Sequence, residues 1–142
     1  MRAQFSCQTR VILSTDENKA VVRRFITEVL GGGNIDVIDE LVAPNYVNRM
    51  GNIDLAGFKA MLSGMNSGMP IRTFEIENLV AEGDSVVFRG TMNMTLANGE
   101  KLSTRDITYY RLANGKIVED DPMSNTDLTK VLGDIMPPKS GT

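Results

Sequence analysis

The chain has 142 residues, of which 42% are hydrophobic, so it is long enough to bury the core of one ordinary domain. Its 15 basic and 18 acidic residues are spread along the chain without a basic cluster, which argues against nucleic acid as a partner. No stretch approaches the roughly 20 apolar residues that cross a bilayer, and the single cysteine, Cys7, has no partner for an internal disulfide. We therefore expect a cytoplasmic protein that binds neither membranes nor nucleic acid.

The absence of histidine restricts the chemistry that the chain can perform. Histidine is the most common general base near neutral pH, so Ser-His-Asp sites, Cys-His sites and His-ligated metal sites are excluded. No segment has the spacing of a calcium-binding loop, and we expect no metal. Any catalysis would depend on Asp, Glu, Tyr, Arg or Lys.

The ends of the chain differ in character from its middle. Residues 1–13 carry a short apolar patch but no signal-peptide core, and we interpret them as an extension. Residues 137–142 begin with two prolines and are typical of a disordered tail. The predicted organisation is therefore a single domain over residues 14–136, flanked by two segments without chemistry.

Three helices are predicted in the first half of the chain. Residues 14–17 have the spacing of a capping box, which begins a first helix that glycines 31–33 end. Asn34 is expected to cap a short second helix, which Pro44 stops. Asp54 is expected to cap the third. Each helix has apolar residues at helical spacing along one face, as a helix packed on a core requires.

From Ile71 onward the pattern changes to the alternation of β-strands. Asn98-Gly99 and Asn114-Gly115 favour tight hairpin turns, so the strands are predicted to pair antiparallel. Helices followed by an antiparallel meander define an α+β fold. In residues 86–96 the apolar face is predicted to hold Val86, Phe88, Gly90, Met92, Met94 and Leu96.

The last predicted strand closes on three consecutive acids, Glu119, Asp120 and Asp121. Neighbouring carboxylates repel one another, and near an apolar cavity this repulsion can raise one carboxyl pKa into the range useful for proton transfer. The alternative interpretation is a solvated turn, because unpaired acids mostly lie exposed.

Four segments together resemble SnoaL-like polyketide cyclases of the nuclear-transport-factor-2-like superfamily. They are residues 41–48, 57–59, 79–89 and 110–119, and the resemblance covers roughly residues 18–133 in order. It implies a cone-shaped fold, in which N-terminal helices pack in a strongly curved antiparallel sheet around an apolar pocket. It also implies a small or medium apolar organic ligand, and a homodimer formed through the outer face of the sheet.

The resemblance implies that a pocket aspartate acts as general base beside a substrate carbonyl, without a metal or organic cofactor. Family members commonly follow the Gly-Lys-Ile-Val-Glu segment with His-Trp-Asp, where this chain has Asp120, Asp121 and Pro122. The expected catalytic acid is therefore Asp121 or Asp120, and Asp121 is preferred. The departure from the family pattern leaves open whether the catalytic set is intact.

Other candidate residues come from the same resemblance or from the alternation of the strands. Arg89 coincides with a frequent family arginine that would stabilise an enolate oxygen, unless it lies on the outer face. Tyr46 and Asn48 match positions at the pocket mouth. Arg105 and Asp106 face opposite ways on a regular strand, so only one of them can enter the pocket. Arg105 is taken as a candidate for binding substrate.

Tyr109 and Met92 complete the predicted substrate-binding set. Tyr109 and Tyr110 also point to opposite faces, and either is alternatively a core or dimer residue. Met92 is one of nine methionines, several of which could line an adaptable cavity or simply fill a core.

The sequence thus predicts a cofactor-free cyclase or isomerase, of the aldol-cyclase or ketosteroid-isomerase type, that uses carboxylate acid-base catalysis. A non-catalytic ligand-binding domain or dimeric accessory domain of the same fold is the alternative. The missing histidine and the altered terminal motif favour this alternative.

Overall fold

The computed structural model describes residues 14–126. The predicted extension, the end of the predicted domain and the predicted tail lie outside these residues. Within the described part of the chain, no helix is long and apolar enough to cross a membrane.

The first helix begins at the predicted capping box. The Glu17 backbone N–H donates to Ser14 Oγ at 3.0 Å, and the Ser14 backbone N–H donates to Glu17 Oε1 at 2.9 Å. This box opens α1 (Thr15–Arg24), which continues into π-helical turns at Phe25–Gly31. The fully buried side chains of this unit are Val22, Phe25, Ile26 and Val29.

The second helical region is shorter than predicted. A 3-10 turn at Ile35–Val37, capped by the Asn34 side chain, leads into α2 (Ile38–Leu41). The prediction that Pro44 stops this helix is wrong, because Pro44 lies inside the strand β1 (Val42–Asn48). Proline is tolerated there because the pairing of β1 with its neighbour is interrupted between Val42 and Val47.

The third helix follows the prediction. After the short strand β2 (Ile53–Asp54), the Asp54 carboxylate accepts a 2.8 Å hydrogen bond from the Gly57 N–H and caps α3 (Leu55–Gly68). This helix turns one apolar face inward. Its buried side chains are Phe58, Met61, Leu62 and Met65.

Four long strands complete one sheet: β3 (Arg72–Glu82), β4 (Ser85–Thr95), β5 (Lys101–Ala113) and β6 (Lys116–Ser124). The strand order is β2-β1-β6-β5-β4-β3. The predicted antiparallel pairing is confirmed from β3 to β6. It is corrected at one place, since β1 and β6 run parallel.

The core lies between the helices and the inner face of this curved, unclosed sheet, which confirms the predicted α+β cone. Phe25 packs on Phe58 with ring centroids 5.5 Å apart and on Tyr110 at 5.8 Å. Tyr46 meets Phe58 edge-on at 5.5 Å. These aromatic contacts join the π-helical turns after α1 to α3, β1 and β5 around one centre.

Candidate active site

A cavity of about 70 Å³ lies between α3 and the inner face of the sheet. This space holds a few water molecules as it stands. Its walls are mostly apolar, and four of the side chains around it are methionines: Met50, Met61, Met65 and Met92. Its polar lining comes from Asn48, Asp106, Thr108, Tyr110 and Asp120.

Asp120 is the acid that enters this cavity from β6. Strand pairing places it between Asn48 of β1 and Tyr110 of β5. Only 4% of its surface is exposed. The Arg49 N–H donates to the Asp120 carbonyl oxygen at 2.7 Å, which fixes the backbone at this position.

The side chain of Asp120 accepts a hydrogen bond from a buried tyrosine. The Tyr46 hydroxyl donates to Asp120 Oδ2 at 2.9 Å, and Tyr46 is the sole donor to this carboxyl among residues 14–126. Burial raises the pKa of Asp120 to about 7, and the Tyr46 hydrogen bond opposes that rise while the charge of Asp121 adds to it. Asp120 therefore exchanges its proton near neutral pH.

The two tyrosines beside Asp120 keep their protons. The pKa values of Tyr46 and Tyr110 are both raised well above the ordinary value of a tyrosine. Burial is the larger cause and the charge of Asp120 is the second. At Tyr46 a hydrogen bond from Asn48 opposes this rise. Both hydroxyls therefore remain donors at neutral pH.

A β-bulge explains why Asp120, and not Asp121, faces the cavity. Leu112 pairs with Ile117 and Arg111 pairs with Glu119, so Val118 is an extra residue in β6. In a regular strand the buried Ile117 and Asp121 would share a face, but one inserted residue reverses the alternation.

The preference for Asp121 is therefore corrected in favour of Asp120. Asp121 pairs with Tyr109, is only half-buried and does not line the cavity. Tyr109 also lies outside the cavity, and its hydroxyl shares a 2.8 Å hydrogen bond with Ser85 Oγ.

The two predicted arginines lie on the outer face. Arg89 and Arg105 are exposed and form ion pairs with Glu77 at 3.6 and 3.5 Å. Neither lines the cavity, so the structure corrects the expectation that they contact substrate there. The alternation of β4 and β5 is regular at these positions and turns both side chains away from the helices.

The remaining predicted residues lie at or beside the cavity. Asn48 and Met92 line the cavity. Tyr46 does not line it, but its hydroxyl donates a hydrogen bond to Asp120, which does. Asn48 Oδ1 accepts a 2.8 Å hydrogen bond from the Met50 N–H, which holds the amide in place.

Sequence reasoning did not select Asp106 and Thr108 as site residues. Alternation along β5 places Asp106, Thr108 and Tyr110 on one face, and all three line the cavity. The Thr104 hydroxyl donates to Asp106 Oδ2 at 2.9 Å. The alternation of β5 had indicated that only one of Arg105 and Asp106 could face inward, and the residue that does so is Asp106 instead of Arg105.

The polar groups of the site suit proton transfer better than metal binding. Within residues 14–126, no three acids or cysteines cluster closely enough to hold a metal ion. The arrangement instead offers one acid that titrates near neutral pH, two neutral phenols and an amide in an apolar chamber. Such a site can exchange protons with a carbon acid and donate hydrogen bonds to its oxygen.

The curved sheet, the enclosed helices and the inward-facing acid define a pocket protein of the nuclear-transport-factor-2-like class. A SnoaL-like domain profile matches residues 22–120, which is most of the chain. The protein therefore belongs to the SnoaL-like family.

Several solved structures have the same fold. Protein TsrD from Streptomyces laurentii is 19% identical, with a TM-score of 0.73, and the match covers 85% of this chain and 98% of TsrD. A SnoaL-like polyketide cyclase from Agrobacterium tumefaciens is 18% identical, with a TM-score of 0.69 and coverage of 85% and 100%. An NTF2-like protein of unknown function from Burkholderia pseudomallei is 16% identical, with a TM-score of 0.67 and coverage of 88% and 100%. At these identities the likeness shows the fold alone, and no curated protein sequence matches the chain.

Proposed function

We propose that this protein is a cofactor-free cyclase or isomerase that acts on a small or medium apolar carbonyl compound, with Asp120 as its proton shuttle. The observation that carries the proposal is the buried carboxyl of Asp120, which lines the cavity, accepts a hydrogen bond from Tyr46 and has its pKa raised to about 7. A general base works best when its pKa lies near the working pH, because it is then both ionised and able to hold a proton.

The proposed reaction begins when ionised Asp120 removes a proton from the carbon beside the substrate carbonyl. The electron pair of the broken C–H bond moves into an enolate, whose oxygen accepts a hydrogen bond from a neutral donor such as the Tyr110 or Thr108 hydroxyl. In an isomerase, Asp120 returns the proton to another carbon. In an aldol cyclase, the enolate carbon bonds to a second carbonyl and Asp120 protonates the new alkoxide.

The composition of the cavity wall supports an apolar substrate. A volume of about 70 Å³ is small, but the methionines around it have flexible side chains that can repack around a larger molecule. The apolar surroundings also strengthen hydrogen bonds to a developing negative charge.

Proton exchange with solvent tests this proposal without knowledge of the natural substrate. The protein would be incubated in D₂O with a panel of β-diketones, bicyclic aryl ketones and ketosteroids, and deuterium gain beside the carbonyl would be followed by NMR. We expect accelerated exchange for part of the panel, a loss of at least about a hundredfold in Asp120→Asn, and little change in Asp121→Asn. Equal exchange rates in wild type and Asp120→Asn would contradict the proposal.

A non-catalytic ligand-binding domain is the second candidate function. The small volume and the methionine-rich wall favour it, because they resemble a core that opens only to admit a ligand. The same experiment separates the two functions: a pure binding protein would bind ketones from the panel but leave their exchange rates at the uncatalysed value.

The expected homodimer stays a prediction. The outer face of the sheet exposes 48% of Ile107 and 60% of Met123, which pair directly across β5 and β6. Apolar side chains in that position suit an interface between two copies. Sedimentation of the wild type and of Ile107→Glu would test this expectation.

A further inference from the structure

A second carboxyl group, Asp106, lies in the same cavity and has no part in the proton transfer proposed above. It is 7% exposed and lines the cavity from β5. Its neighbours across the sheet are Gly90 on β4 and Ser124 on β6. Gly90 has no side chain, and the Phe88 ring and the Glu75 carbonyl oxygen occupy the space that a side chain would need there.

Asp106 has few partners for a buried acid. Among residues 14–126 the Thr104 hydroxyl is the one donor to its carboxyl, at 2.9 Å from Oδ2 and 3.2 Å from Oδ1. The arginines nearest in sequence and register, Arg89 and Arg105, pair with Glu77 on the outer face instead. A carboxylate has about four acceptor sites, so one shared hydroxyl leaves most of its capacity unused. Burial without further donors lowers the stability of the free protein.

The register of β5 separates the two acids along the cavity. Asp120 pairs with Tyr110, and Asp106 lies four residues before Tyr110 on β5, with Thr108 between them. At about 3.3 Å per residue, the two positions are roughly 13 Å apart along the strand. A ligand long enough to span this distance, with its carbonyl end at Asp120, would present its opposite end to Asp106.

We infer that Asp106 is a specificity-determining residue, which accepts a hydrogen bond from a hydroxyl group on the substrate at the end remote from the reacting carbonyl. The inference rests on the proposed function, because that function places the carbonyl of the ligand at Asp120. A neutral hydroxyl fits this position better than an ammonium group, because it costs less to transfer from water into an apolar chamber. The substrate class is thus narrowed to hydroxylated carbonyl compounds.

Binding of matched ligands tests the inference. The probes are bicyclic aryl ketones that carry a hydroxyl, a methoxy group or a hydrogen at the end remote from the carbonyl, and their Kd values would be measured by calorimetry. We expect wild type to prefer the hydroxylated ketone over its methyl ether by at least about tenfold, as for a hydrogen bond to a charged acceptor. We expect Asp106→Leu to lose this preference, and to raise the Tm of the ligand-free protein.

Two further variants make the test specific. Thr104→Val removes the competing donor and should increase the preference, whereas a merely structural Thr104–Asp106 pair would leave the hydroxylated ketone and its methyl ether equally bound. Asp120→Asn should retain the preference in binding while it loses deuterium exchange, so failure of the proposed function is distinguished from failure of this inference. Asp106→Asn serves in place of Asp106→Leu if the latter does not fold, with a reduced preference expected.

Two results would overturn the inference. One is a wild type that binds no hydroxylated ketone of the series more tightly than its methyl ether. The other is an unchanged preference in the variants of Asp106.

Discussion

Tyr46 Oη and Asp120 Oδ2 are 2.9 Å apart, although 74 positions separate the two residues in the sequence. The contact joins β1 to β6, the parallel pair of the sheet. It couples two titrations in opposite ways: the hydrogen bond lowers the pKa of Asp120, and the charge of Asp120 raises the pKa of Tyr46. Burial is the main cause of the raised pKa of Asp120, and this one bond limits the rise.

The pH dependence of stability should reveal the burial of Asp120. Its pKa rises on folding from 3.8 to about 7, so the folded chain binds the proton more tightly than the unfolded chain. The contribution to stability is complete below pH 4 and is lost as the pH rises to 7, by on the order of 4 kcal/mol. We expect Asp120→Asn to remove this slope in urea unfolding between pH 4 and 8.

Asp121→Asn is the matched control for that measurement, because it removes the neighbouring acid from outside the cavity. It should keep most of the slope, with a midpoint slightly lower because the charge of Asp121 raises the pKa of Asp120. A slope that persists in Asp120→Asn and disappears in Asp121→Asn would contradict the assignment.

Removal of the Tyr46 hydroxyl should move the titration of Asp120 upward. In Tyr46→Phe the ring still packs on Phe58, but the carboxylate loses its donor. A hydrogen bond worth about 1.4 kcal/mol corresponds to about one pKa unit, so the midpoint of Asp120 should rise from about 7 toward 8. Carbonyl-region infrared difference spectra would measure the midpoint, with Tyr109→Phe as a control outside the cavity. A midpoint that falls would show that the hydroxyl does not stabilise the ionised form.

Much of the architecture could be predicted from local patterns. Ser14 with Glu17 begins a helix, Asp54 begins another, and the alternation in residues 86–96 gives the buried face of β4. Each of these features depends on contacts within a few residues, so the sequence shows it directly. The parallel pairing of β1 with β6 depends on residues about 70 positions apart and has no local pattern.

The bulge at Val118 shows why the site was harder to predict than the fold. A single inserted residue reverses which side chains of β6 face inward, and Asp120 and Asp121 are adjacent acids of the same type. Composition cannot distinguish them, and neither can the spacing of the motif. The position of Asp106 could have been predicted, because alternation along β5 places it on the same face as Thr108 and Tyr110.

Arg72 should be among the most important single residues for stability. Only 7% of its surface is exposed, and its guanidinium donates to the Leu30 and Met69 carbonyl oxygens at 2.7 and 3.0 Å and to Asn66 Oδ1 at 2.7 Å. Arg72→Met would leave three acceptors without donors, and we expect a loss of about 2–4 kcal/mol in the free energy of unfolding. Arg23→Met, on the exposed face of α1, should change it by less than about 0.5 kcal/mol. Equal losses in the two variants would show that the hydrogen bonds of Arg72 do not stabilise the fold.

Truncation of a cavity methionine should change ligand selectivity, whereas truncation of a core methionine should not. Met61 and Met94 are each 3% exposed, but only Met61 lines the cavity. Either change to alanine should cost about 2–3 kcal/mol of stability, because each removes buried apolar contacts. Met61→Ala also extends the cavity beside Asp120, so it should bind bulkier ketones more tightly relative to small ones, while Met94→Ala keeps the wild-type order. Calorimetric titration with ketones of one, two and three rings measures the order of their affinities. If that order changed in the same way in both variants, general loosening of the core, and not the cavity wall, would control the size of the ligand.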